Sequence, residues 1–200
     1  TPLPLDPVFQ VYNHIAKLQV QGKHLKQAQT ELSDYKTQTQ TALSSVNKRF
    51  SGNDKAKILT LGGELAMSAL AEYILKSNGV DACRVSLQNW PIVTDDNFEE
   101  ATPDYEQSKK RVSPLVTPLE EGKVVSLAGF LGVTADGLET VLGRGGSDLT
   151  AVFTSCLLKS RYHTETLLFK DVPVQSADPK VVKGQKTEHV AALTYNEAHK

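Results

Sequence analysis

The sequence predicts an α/β domain built on a largely parallel core sheet, and three observations carry that prediction. Short strand-like apolar runs alternate with helix-period segments from about residue 54 onward, the order that makes a parallel sheet covered by helices. A glycine-rich run, LGRGGSD at Leu142–Asp148, sits between a strand-like and a helix-like segment. The length of 200 residues suits one domain, which at this size buries roughly 70% of the surface its unfolded chain exposes.

Taken in order, the first fifty residues are polar and helix-prone, and we expect residues 1–50 to be a helical segment of the domain. Val8, Val11, Ile15 and Leu18 recur at helical spacing after Asp6-Pro7, which predicts an amphipathic helix with that stripe inward. From His24 to Phe50 a thin stripe of Leu25, Leu32, Tyr35, Leu43 and Val46 fits a helix with a large solvated face. A partner helix or coiled coil is the alternative, but the heptads are not sustained.

The core, residues 51–200, opens with Ser51-Gly52-Asn53-Asp54, a break with a good N-cap. Ile58, Leu61, Leu65, Ala69, Leu70, Tyr73 and Ile74 then mark a buried helix closed by Asn78-Gly79. Gly62 and Gly63 interrupt it at about 1 kcal/mol each relative to alanine, so a pair beside Glu64 suggests backbone approaching a ligand. Asp81–Leu87 reads as a strand, Val93–Asn97 as an acidic loop, and Ser108–Leu119 as a helical segment interrupted by Pro114 and Pro118. Lys123–Phe130 reads as a strand entering a glycine turn. Gly137–Leu142 returns as the second arm of a hairpin tipped by Thr134–Gly137. Ser147–Lys159 is a helix with Leu149, Val152, Phe153, Cys156 and Leu157 on its inner side; Thr166–Lys170 is a strand, Asp178-Pro179 a turn, and Thr194 starts a last helix.

Composition excludes several classes. The 23 acidic residues nearly cancel the 22 basic ones, so no electrostatic footprint for nucleic acid or an anionic membrane stands out. No apolar run approaches the ~20 residues of a bilayer span, and no signal peptide is visible. Cys83 and Cys156 read as buried, reduced thiols, which suits a cytoplasmic setting. The five histidines have no metal-ligand spacing, and CxxC and HExxH are absent. Thr1 without an initiator methionine and Lys200 inside a starting helix lead us to expect a chain cut at both ends.

The chemistry concentrates at LGRGGSD. Its glycines let backbone approach a ligand, and Arg144 adds a planar charged fork suited to a carboxylate or phosphate. Ser147 is the expected N-cap of the following helix, and Asp148 in its first turn suits the helix dipole. The string is neither a Walker loop nor a GxGxxG turn. Glu64 is a carboxylate able to hold an ammonium group, or simply a solvent-facing glutamate. Thr94, Asp95, Asp96 and Asn97 form an acidic cluster whose adjacent side chains diverge, so a solvated loop is expected. Lys170 and Asp171 would lie at a strand's carboxyl edge, where α/β folds bind ligands.

Together ILTLGGELAMSALAEYIL, IVTDDNF, VSLAGFLGVTADGLETVLGRGGSD, KDVPVQSADPKVV and LTYNEA, in that order over about Asp54–Lys200, resemble the catalytic domain of the aspartate kinases in the amino acid kinase family. The resemblance implies a three-layer αβα sandwich, here incomplete, which transfers the γ-phosphoryl group of ATP to the side-chain carboxylate of L-aspartate with Mg²⁺. It implies that Arg144 clamps the substrate carboxylate, Glu64 holds the ammonium group, Phe130 and Ser147 line the pocket, and Asp148 orients groups near the transferred phosphoryl. It assigns Lys170, Asp171, Ser176, Asp178 and Lys180 to the nucleotide, and it suggests a homodimer. Several family features do not occur in the sequence: the KFGGTS-like strand with its phosphate lysine, the FGAKVLHPRT-like stretch, and the ACT domains. Leu65 stands where the family often has arginine, and KDVPVQSADPK lacks the usual glycine and tyrosine before ADP. A non-catalytic family member that binds an amino acid or a partner chain is the second reading. A kinase for another amino-acid carboxylate is the third.

Overall fold

The computed structural model describes residues 5–45, 51–170, 175–177, 182, 187–188, 190–192 and 194. The chain divides into two compact units, residues 1–166 and 167–200, and the first contains every helix and strand named below.

Unit 1 begins with α1 (Asp6–Gln19) and α2 (Gly22–Ser45). The helical period of α1 is as expected, but its inward face is not. Phe9, Ala16 and the following Val20 are buried; of the four residues of the expected stripe Ile15 packs against them, whereas Val8, Val11 and Leu18 are exposed. Both sets recur at helical spacing, and packing against Leu32, Ala66 and Leu70 selects the set carrying the large aromatic Phe9.

The next helix is continuous from Gly52 to Ser77 but not regular. It runs as α3 (Gly52–Leu59), a wide π-type turn (Thr60–Leu65) and α4 (Ala66–Ser77). Ser51 caps it as expected: its hydroxyl accepts from the Asp54 N–H at 3.2 Å, and the Asp54 carboxylate accepts from the Ser51 N–H at 3.1 Å. This run is long and apolar enough to cross a membrane, with mean hydropathy 1.4 over its best window, which corrects the expectation that no segment is. It is apolar on two faces because it is covered on two. Ala66 and Leu70 pack on α1 and α2, while Leu61 and Leu65 join the sheet core with Trp90, Ile92, Leu131 and Leu157.

The sheet elements are short. β1 (Ala82–Arg84) pairs in parallel with β2 (Val124–Ser126), in register Ala82 to Val124. β3 (Leu131–Val133) and β4 (Glu139–Val141) form the expected antiparallel hairpin, and Gly137 at its tip has φ 84°. The extended backbone at Ile92–Thr94 runs parallel to β3: the Val133 N–H donates to Ile92 O and the Thr94 N–H to Val133 O. Mixed helices and parallel pairing make this an α/β fold, as the sequence predicts.

Between β1 and β2 the expected interrupted segment is two helices, α5 (Tyr105–Lys110) and α6 (Ser113–Glu120). Pro114 stands in the first turn of α6, where a missing N–H costs nothing. α7 (Gly146–Leu158) follows the hairpin. Its buried residues are Gly146, Thr150 and Leu157, and Leu149 and Val152 are exposed, so the expected inner side is turned away from part of its sequence stripe. Residues 163–170 are irregular, and the expected strand at Thr166–Lys170 is not formed; Phe169 there is 92% exposed. A strand needs a neighbour to complete its hydrogen bonds, and none of the described residues pairs with it. The turn expected at Asp178-Pro179 and the helix expected after Thr194 lie outside the described residues.

Candidate functional site

The wide turn Thr60–Leu65 is the first half of the site. π-type turns add a residue to the helical ladder and often occur at functional positions. Gly62 packs closely there: a Cβ would come within 3.3 Å of the Thr39 methyl of α2, which would have to shift by a few tenths of an ångström. Gly63 faces open space. The Tyr12 hydroxyl of α1 donates to Gly62 O at 3.2 Å. Burial, and after it the Glu64 carboxylate, pushes the Tyr12 phenol above its ordinary range. Glu64 is half-buried, and its carboxylate accepts a hydrogen bond from the Ser147 hydroxyl at 3.1 Å.

The glycine–arginine turn is the second half. Gly143 (φ 71°) and Gly145 (φ 76°) take the left-handed backbone on either side of Arg144, a conformation favoured for glycine because it lacks a Cβ. Gly145, not Ser147, is the N-cap of α7. Ser147 is therefore inside the first turn, and its hydroxyl is directed to Glu64 instead of capping the helix. Asp148 lies in that first turn as expected. Phe130 has φ 68°, a strained backbone for a bulky residue. Its N–H donates to Thr150 Oγ1 at 3.0 Å, its carbonyl accepts from Leu142 N–H at 2.9 Å, and Thr150 donates in turn to Gly146 O. Such strain persists where the surroundings over-determine it, and it is common at ligand sites.

Two clefts result, with no lining residue in common. One, of about 370 Å³, is lined by Glu64, Ser147, Thr150 and Thr154 with Val125, Leu127 and Gly129. The Thr154 hydroxyl is buried on its wall with no hydrogen-bond partner among the described residues, an unsatisfied group of the kind a bound molecule or water completes. The other, of about 250 Å³, is lined by Arg144, Phe130, Gly143, Lys55, Glu99 and Glu100. Arg144 is exposed and forms no ion pair among the described residues, while Lys55 pairs with Glu99. Glu64 can hold an ammonium group beside an apolar wall, and Arg144 can grip an anion in two-pronged fashion.

Of the residues singled out from the sequence, the fold thus brings Glu64 to Ser147 and Phe130 to Arg144. The acidic loop is structural: Asp95 accepts from the Asn97 and Thr102 N–H groups, and the Thr94 hydroxyl bonds to Thr140 at 2.7 Å. In unit 2, Lys170 is exposed and follows no strand, so its expected place at a strand edge is not found. The Ser176 hydroxyl accepts from the Glu188 N–H. Asp171, Asp178 and Lys180 lie outside the described residues. Cys83 and Cys156 are free thiols. Tyr12, Thr150 and Thr154 carry no signal in sequence, since each depends on a partner or cleft formed by distant segments.

The model of the amino acid kinase family matches residues 10–200. The chain belongs to the amino acid kinase family. Its relatives in that family include an aspartokinase of Chlamydia muridarum, 37% identical over 145 residues (72% of this chain, 31% of that protein). An aspartokinase of Helicobacter pylori is 32% identical over 160 residues, which is 78% of this chain and 37% of that protein. The chain thus spans about a third of the length of these relatives. Among solved structures, E. coli aspartokinase III in complex with aspartate and ADP superposes with a TM-score of 0.70 at 20% identity, covering 92% of this chain and 44% of that one. That likeness supports the amino acid kinase fold.

Proposed function

We propose that this chain carries the amino-acid-binding part of an ATP-dependent kinase that phosphorylates the side-chain carboxylate of L-aspartate to 4-phospho-L-aspartate, the first step toward lysine, threonine and methionine. The observation that carries the reading is the joining of Glu64 to Ser147 across 83 residues, next to the glycine-flanked Arg144, in a chain similar to aspartokinases. A substrate with an ammonium group and carboxylates suits one acidic and one guanidinium partner. Glu64 holds the ammonium, Arg144 clamps a carboxylate, and Ser147 and Phe130 shape the pocket between them.

In the reaction a side-chain carboxylate oxygen forms the new bond to the γ-phosphorus as the bond to the β-phosphate oxygen breaks and ADP leaves. Such transfer needs mainly alignment and charge neutralisation. Asp148, at the start of α7, orients groups near the transferred phosphoryl. Mg²⁺ with ATP would supply charge neutralisation; it is usually held by one or two carboxylates plus phosphate oxygens. Lys170, Asp171, Ser176, Asp178 and Lys180 are assigned to the nucleotide on motif order. A cytoplasmic, homodimeric enzyme goes with this reading.

Hydroxylamine traps acyl phosphates. Incubated with ATP, Mg²⁺ and a panel of amino acids, the protein is expected to yield aspartyl hydroxamate; none above background overturns the kinase reading. Aspartate binding without hydroxamate favours the non-catalytic reading. A larger yield with another amino acid would reassign the substrate.

A further inference from the structure

Glu139 is a carboxylate on a β-strand whose three residues are all buried, and the reading above gives it no part. It stands 9% exposed at the start of β4. Its Oε2 accepts from the Thr60 hydroxyl at 2.8 Å, and Thr60 is fully buried at the first position of the wide turn. The Glu139 carbonyl accepts from the Asn53 amide at 2.9 Å. One residue of β4 therefore holds the α3–α4 helix at two points, by side chain and by backbone.

The position of this pair gives it a consequence. Thr60 lies four residues before Glu64, and Glu139 lies five residues before Arg144. The turn bearing Glu64 is fixed by Tyr12, Thr39 and Ser147 on its other sides, but each of these touches it at Gly62 or Glu64. Among the hydrogen bonds of the described residues, only that of Thr60 ties the beginning of the turn directly to β4, the strand that precedes Arg144. We propose that Glu139 and Thr60 are a positioning pair that sets the separation of Glu64 from the Arg144 turn, and so tunes affinity for the amino-acid substrate. The inference rests on the proposed placement of an amino acid between these two residues.

A burial role alone would be met by apolar side chains of the same volume. Instead the fold bears a desolvated carboxylate, which burial pushes above its ordinary range while Thr60 and then Lys57 oppose the shift. The Thr60 hydroxyl is also 3.1 Å from Lys57 O. In either protonation state, then, the chain Glu139–Thr60–Lys57 keeps each proton placed. Glutamine at 139 preserves this arrangement, and valine at 60 removes it with little change of shape.

The test compares Thr60→Val and Glu139→Gln with the unsubstituted protein, each first checked for a cooperative thermal transition. Thr60→Val should raise the aspartate KM by about tenfold while the ATP KM stays within about twofold, and Glu139→Gln should stay within about threefold for both. Amide exchange at residues 61–65 should quicken by about tenfold in Thr60→Val and not in Glu139→Gln. Equal effects on both substrates, unchanged exchange in Thr60→Val, or a Glu139→Gln defect as large as that of Thr60→Val overturns the pair. If the unsubstituted protein neither binds aspartate nor forms hydroxamate, the kinase reading falls. The exchange result then decides by itself whether the pair fixes the turn.

Discussion

At the residue scale, the site is made of side chains whose partners are far away in sequence. Glu64 meets Ser147, and Phe130 adopts a left-handed backbone held by Thr150 and Leu142. Arg144 differs in being exposed and in forming no ion pair among the described residues. Lysine at 144 keeps the charge but loses the planar fork. Arg144→Lys should raise the aspartate requirement about tenfold or more and the ATP requirement little; equal effects in initial-rate kinetics would argue against this placement. Glu139 gives a pH prediction. Its folded pKa is raised above the ordinary value of 4.5, so the folded state binds its proton more tightly than the unfolded state does. Its favourable contribution is complete below about 4.5 and is lost as pH rises through the folded value. Glu139→Gln, which does not titrate, should therefore gain stability relative to the unsubstituted protein over that rise. Urea titrations at several pH values would measure the difference, and a constant gap contradicts the assignment.

At the scale of elements, local rules account for much that was legible in advance. The Ser51 cap, the hairpin tip at Thr134–Gly137 and the stop at Asn78-Gly79 are short-range features, and each is present. Ser51→Ala should destabilise the domain by about 1 kcal/mol, read as a lower urea midpoint with unchanged slope. Glycine at the same position should cost less, because it is tolerated at an N-cap. Other elements were illegible for definite reasons. The buried face of α1 is ambiguous in sequence because Val8, Val11 and Leu18 repeat with the same period as Phe9, Ala16 and Val20. Ser147 has the sequence context of a cap because it precedes an apolar helix, but the N-cap is Gly145, two residues earlier. The wide turn at Thr60–Leu65 could be suspected from the glycine pair, yet its hydrogen-bond pattern depends on contacts from α1, α2, β4 and α7.

At the scale of unit 1, the helical layer and the sheet are joined by a charge network as well as by apolar packing. Arg84 of β1 pairs with Glu31 of α2 at 2.6 Å and with Glu72 of α4 at 3.2 Å, and Lys76 also pairs with Glu72. Tyr73 donates to Glu31, and burial together with that bond pushes its phenol up to about 12. Arg84→Met should cost about 3 kcal/mol, near the lower end for breaking a buried pair because Lys76 remains on Glu72. Adding Glu72→Leu should recover part of that loss, since the least exposed carboxylate no longer lacks its guanidinium, although Glu31 and Lys76 each lose a partner. A double-mutant cycle in urea reads both effects, and simple additivity would show that the two residues are not coupled.

The sequence by itself determined the α/β class, most helix positions, the capped start at Ser51, the hairpin, the glycine–arginine turn and the family. These depend on hydrophobic period, backbone preference and ordered motifs, all of which act over a few residues or are read along the chain. Only the tertiary structure decided which face of α1 is buried, that Ser147 serves Glu64, that Glu139 grips Thr60, and that no strand forms at Thr166–Lys170. Those outcomes are set by which distant groups exclude water together and which polar atoms remain to be satisfied, and both are known only once the segments have met.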